Sequence, residues 1–167
     1  MDNNLETTFF GALEKNKDRI FRMCRAYSTD NENAKDLFQD VVLQIWKSLP
    51  SFKELSTIDT WIYRITLNVC IRANLQLKKR EDKTVRLDSI HFENLESGSN
   101  DNFEEREKYK PLYGCISKLS ETDRSIILLF LEDLSYKEIS SVTGLTENHV
   151  AVKLKRIKKK LFNCLNQ

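Results

Sequence analysis

"YKEISSVTGLTENHVAVKL", residues 136–154, is the stretch whose reading decides the fold class of this chain. Ile139 and Val142 give a first short helix one apolar side, and Ser140 is small where a second helix must cross closely. Gly144 follows four residues later, where a helix-turn-helix needs a residue free to take positive φ. Leu145 plugs the turn, Thr146 is placed to cap, and Val150, Leu154, Ile157 and Leu161 form the next helix's apolar stripe. The spacing predicts a helix-turn-helix of the kind that reads DNA.

Base readout needs polar side chains at the start of the second helix and cations behind them for phosphates. Thr146, Glu147, Asn148, His149 and Lys153 stand at that start, and Lys155 and Arg156, then Lys158 and Lys159, follow. A plain helical hairpin with a solvated lysine run is the competing reading. The small residue, the glycine, the cap and the cation-rich helix together favour DNA. Phosphate neutralisation carries no sequence information, so one short helix is expected to work within a dimer, a repeat or a larger machine.

The rest of the chain points to an all-α protein of two small helical domains. Its 167 residues are 40% hydrophobic and 31% charged, with only four glycines and two prolines, a composition that suits helices and leaves little turn material for a sheet. The net charge of +2 is too small to announce nucleic acid, but its distribution is uneven. Residues 60–80 hold Arg64, Arg72, Lys78, Lys79 and Arg80 with no acid, and a second basic zone begins after Glu147. Between them, "EDKTVRLDSIHFENLESGSNDNFEE", residues 81–105, carries eight acidic and two basic residues without a sustained period. That composition predicts a flexible acidic linker over 81–106 between domains at 1–80 and 107–167.

Within the first domain, helical signals run from about Glu6 to Tyr27 and again through Ala34, Leu37, Phe38, Val41, Val42, Ile45, Trp46 and Leu49. The opposite face of this second helix carries Asp36, Gln39 and Asp40. Pro50 ends it, and a third helix resumes near Ile58 and runs into "LKKR". Cys24, Cys70, Cys115 and Cys164 lie far apart with no C-x-x-C pair, which predicts reduced buried thiols in a cytoplasmic protein. Metal-ligand spacing, a nucleophile triad and a phosphate-cradling glycine loop are not found, so neither an enzyme, nor a cofactor, nor a small-molecule substrate is expected.

"DLFQDVVLQIW", the loop around Phe52 and "TWIYRITLN", in that order, resemble region two of bacterial RNA polymerase sigma factors, and the C-terminal hairpin resembles their region four. The compact extracytoplasmic-function (ECF) group is the one the whole chain looks like. The resemblance implies that Asp36, Gln39 and Asp40 dock on a coiled coil of the polymerase's largest subunit, with the flap as a further polymerase contact. It also implies a minus-ten reader built from Phe52, Lys53, Trp61, Tyr63, Arg64, Asn68 and Arg72, although Phe52 and Trp61 equally suit a core. The hairpin residues 146–149, 153, 155 and 156 would read the minus-thirty-five element. Where primary sigma factors carry two adjacent tryptophans, Trp61 is followed by Ile62, which implies stricter dependence on promoter sequence. An anti-sigma factor, often membrane-bound in the family, is the further implied partner. The alternative is a conventional helix-turn-helix regulator whose N-terminal bundle senses a ligand or dimerises.

Overall fold

The computed structural model describes residues 3–83 and 103–167. In chain order the helices of the described residues are α1 (Asn3–Ala26), α2 (Asn31–Ser48), α3 (Ile58–Lys83), α4 (Phe103–Ser117), α5 (Glu121–Leu131), α6 (Tyr136–Thr143) and α7 (Glu147–Leu165), with a 3-10 turn at Leu49–Ser51 after α2. No strand occurs among the described residues, and the expected all-α class is what is found. Two boundaries differ from expectation. Helix α3 continues through Lys83, and α4 starts at Phe103, ahead of Glu107. Acidic composition does not stop a helix, because extending an existing helix is far easier than nucleating one. The remainder of the expected acidic linker, residues 84–102, lies outside the described residues.

Helices α1, α2 and α3 pack on one another because each contributes a stripe at helical spacing. Ile20, Met23 and Cys24 of α1 meet Val41 and Ile45 of α2 and Ile62 and Cys70 of α3, all buried. Asp30 caps α2 by accepting from the Asn33 amide at 2.8 Å. A polar knot lies inside this bundle. Asn16, buried on α1, donates to the Ala12 carbonyl at 2.9 Å and to Asp59 Oδ1 at 2.8 Å, while its own oxygen accepts from the Tyr63 hydroxyl.

The second half is built around α5, whose residues 123–129 are all buried. Ser120 caps it, and Ser135 and Glu138 form a reciprocal capping box at the start of α6. Gly144 then takes φ 80°, as the turn chemistry requires, and Thr146 caps α7. Pro111 sits inside α4, where it has no amide to offer the carbonyl four residues back. The expectation of four reduced cysteines holds for Cys24 and Cys70, whose buried sulfurs lie 4.0 Å apart. The Cys24 thiol and burial raise the pKa of Cys70 well above its ordinary value, which keeps that sulfur protonated. It fails for Cys115 and Cys164, which form a disulfide. Forty-nine residues separate that pair in sequence, but the C-terminal parts of α4 and α7 run side by side and bring their Cα atoms within 6.0 Å.

The two halves are packed together. Arg22 of α1 makes two hydrogen bonds of 2.7 Å to Glu132 at the end of α5, and Arg19 approaches the same carboxylate at 3.9 Å. Tyr27 and Ser125 meet at 3.2 Å, with the Arg124 guanidinium 5.0 Å above the Tyr27 ring. Burial, only partly offset by the Ser125 hydroxyl, pushes the Tyr27 phenol up, so it remains a neutral hydrogen-bonding group.

Replacing Asn16 by Ala leaves the buried Tyr63 hydroxyl short of an acceptor and is expected to lower unfolding free energy by about 2 kcal/mol in urea titration. Cys164→Ser is expected to lower it by about 3 kcal/mol in oxidising buffer and by much less once both proteins are reduced. Equal urea midpoints in oxidising buffer would refute the second expectation.

Candidate nucleic-acid and polymerase interfaces

Three surfaces carry the residues singled out in the sequence. On the first, Thr146 positions the start of α7 by accepting from the His149 amide at 3.1 Å, so its hydroxyl oxygen already serves the helix. Glu147, Asn148 and His149 project from that first turn, exposed. The buried stripe is Val150, Leu154, Ile157 and Leu161, as the periodicity predicts, which leaves Lys155 and Arg156 exposed beyond it. Lys153 is different. Its ammonium hydrogen-bonds Asp123 of α5 at 3.2 Å, a carboxylate that Lys160 also approaches at 3.6 Å. The expected contact residue Lys153 thus carries a counter-ion from α5 that its own helix does not supply.

The second surface is the loop after α2 and the outer side of α3. The rings of Phe52 and Trp61 lie 5.0 Å apart at 43°, both half-buried, and close the base of the loop. Above them Lys53 is exposed, Glu54 takes φ 57°, and Leu55 is 90% exposed at the tip. Left-handed geometry in a non-glycine residue costs energy unless the surrounding fold holds it, so this loop has a set shape. Arg64, Asn68 and Arg72 are all exposed on α3. Tyr63 is not: it is 2% exposed, donating to Asn16 and accepting from Arg19 at 3.0 Å. Its place in a base-reading surface is corrected by burial, since one helical position beside Arg64 turns the side chain into the bundle.

The third surface is the outward face of α2, where Asp36, Gln39 and Asp40 are exposed together. Leu43, 52% exposed, continues this stripe at the next turn. The sequence reading missed Leu43 and Leu55. Leu43 does carry a signal, because it falls off the 3.6-residue period that its apolar neighbours keep. Leu55 carries a weaker one, as a lone large apolar residue in a polar loop.

Comparison with known proteins identifies the family. The family model for Sigma-70 region 2 matches residues 12–81, and that for Sigma-70, region 4 matches residues 109–161. The RNA polymerase sigma factor SigZ of Bacillus subtilis (strain 168) is 31% identical over 137 residues, 81% of this chain and 74% of that protein. This chain belongs to the RNA polymerase sigma factors, in their ECF group. SigV of the same strain is 26% identical over 145 residues, covering 86% of this chain and 82% of SigV. The sigma factor RpoE of Bartonella quintana, solved with the anti-sigma factor NepR, shares the fold with a TM-score of 0.66 at 19% identity, over 99% of this chain and 98% of that one.

An ECF sigma factor binds core RNA polymerase and promoter DNA and directs promoter-specific initiation of transcription. Sigma factors are non-catalytic subunits of the polymerase. The match of the N-terminal half to region 2 disfavours the alternative of a conventional regulator with a sensing bundle. Among the described residues, no helix is long and apolar enough to cross a membrane.

For α7, Arg156→Ala is expected to weaken promoter binding about 3- to 10-fold at moderate salt and to reduce the salt slope by about one. Lys153→Ala, which removes a partner of Asp123, should change the slope less. Fluorescence anisotropy across a salt series measures both, and identical slopes for Arg156→Ala and the unmodified protein would count against the phosphate contact.

Proposed function

We propose that this sigma factor holds promoter DNA at two places while α2 holds the polymerase. The start of α7, residues 146–149 with Lys155 and Arg156, reads the minus-thirty-five element. The loop at Phe52 and Lys53, the ring of Trp61 and the outer side of α3 at Arg64, Asn68 and Arg72 receive the unstacked minus-ten strand. The observation that carries this reading is that region 2 and region 4 occur in family order in one chain. Capturing a base outside the duplex costs a few kcal/mol of stacking, which a π surface and nearby polar groups offset. The half-buried Trp61 against Phe52 and the cations of α3 supply both.

Asp36, Gln39 and Asp40 meet the coiled coil of the largest polymerase subunit, and region 4 meets the flap. Polymerisation chemistry stays with the core enzyme, with no cofactor or small-molecule substrate bound here. The protein works in the cytoplasm, in two domains at about 1–80 and 107–167. RpoE of Bartonella quintana is held by an anti-sigma factor, which supports an anti-sigma partner for this chain too.

Run-off transcription with purified core polymerase tests the whole reading. The unmodified protein is expected to yield a promoter-specific transcript, and the combined Asp36→Ala, Gln39→Ala and Asp40→Ala protein is expected to lose at least tenfold in affinity for core while keeping its helical circular dichroism. Unchanged core binding by the triple variant would sink the assignment of α2.

A further inference from the structure

We propose that the Cys115–Cys164 disulfide is a reversible redox site that governs region 4: oxidised, it holds the helix-turn-helix together, and reduced, it loosens it. The transcriptional part rests on the cytoplasmic, promoter-reading assignment above. The two cysteines stand 49 residues apart, at the C-terminal parts of α4 and α7. The loop they close contains α5, α6 and nearly all of α7, so one bond staples the entire helix-turn-helix. A protein working among reducing thiols holds a disulfide transiently or for sensing, unlike a secreted one.

The surroundings of the bond show what its loss would release. The buried stripe of α7 stops at Leu161, and beyond it Phe162 is 67% and Leu165 44% exposed. Cys164, half-buried, is the side chain that ties this last turn to α4. Helix α4 has few other anchors. Its residues 107–111 are exposed, and Leu112, Tyr113 and Ile116 are what it adds to the core beside Cys115. A helical module this small draws much of its stability from such a staple. Reduction is a balanced exchange. A thiolate of a dithiol reductant attacks Sγ of Cys164, the less buried of the pair, and the S–S electron pair leaves on Cys115 Sγ, which takes up a proton. The reductant's second thiol then displaces Cys164 from the mixed disulfide, so the reductant ends as a disulfide and the chain gains two electrons and two protons. Glutathione disulfide drives the reverse. Cys24 and Cys70, buried free thiols outside this loop, are an internal reference.

The test uses the full chain. Equilibrated with glutathione disulfide, acid-quenched and alkylated in urea, it is expected to take label at Cys24 and Cys70 only. Millimolar reduced glutathione is expected to add Cys115 and Cys164. Thermal unfolding followed by circular dichroism is expected about 10 °C lower for the reduced chain. Run-off transcription with purified core polymerase is expected to fall at least about threefold on reduction at about 37 °C. The Cys115→Ser with Cys164→Ser chain is expected to transcribe poorly in both buffers, which separates this site from thiols of the polymerase. A disulfide that never forms, or that survives millimolar glutathione, overturns the redox site. Equal melting or equal transcription by the two states does the same. A melting shift with no transcript from the oxidised chain overturns the promoter-reading assignment instead and leaves the redox site standing.

Discussion

A carboxylate at the wrong end of a helix organises this molecule. Glu132 caps the C-terminus of α5, where the helix dipole already disfavours negative charge, and it is nearly removed from water. Arg19 and Arg22, one turn apart on α1, supply the compensation. The consequence spreads through shared partners. Arg19 also donates to the Tyr63 hydroxyl, Tyr63 donates to Asn16, and Asn16 holds Asp59, which Lys15 meets at 3.1 Å. One line of polar contacts thus runs from the end of α5, across α1, to the first turn of α3 beside the loop that carries Phe52 and Leu55. The hydrogen bond from Arg19 to Tyr63 and the pairing of Arg22 with Glu132 both raise the arginines' pKa values further, so these cations persist at any pH the fold survives.

The same network explains which parts of the site were legible in the sequence. The helix-turn-helix was, because each of its determinants is local: a small residue at 140, a glycine at positive φ, a cap at Thr146 and a four-residue apolar stripe. The outward face of α2 was legible for the same reason, since periodicity alone separates Asp36, Gln39 and Asp40 from Leu37 and Val41. Tyr63, Lys153 and the cysteine pair were not. Tyr63 is claimed by Asn16, 47 residues away; Lys153 by Asp123, 30 away; and Cys115 by Cys164, 49 away. A tyrosine beside an arginine on a basic helix reads as a nucleic-acid contact until its partner on another helix is known. Helix ends were misread for a different reason: acidic composition was taken as linker, although Glu and Lys propagate a helix well once it has begun.

The three surfaces differ in what the rest of the fold packs against them. The α2 stripe of Asp36, Gln39, Asp40 and Leu43 is exposed while the halves are packed, and so is the first turn of α7 at Glu147, Asn148 and His149. The α3 side at Arg64 faces α6. The outward face of α2 and the first turn of α7 therefore stand clear of the packing between the halves, whereas Arg64 of α3 spends a donor on the Ser141 carbonyl of α6 even though its side chain remains exposed.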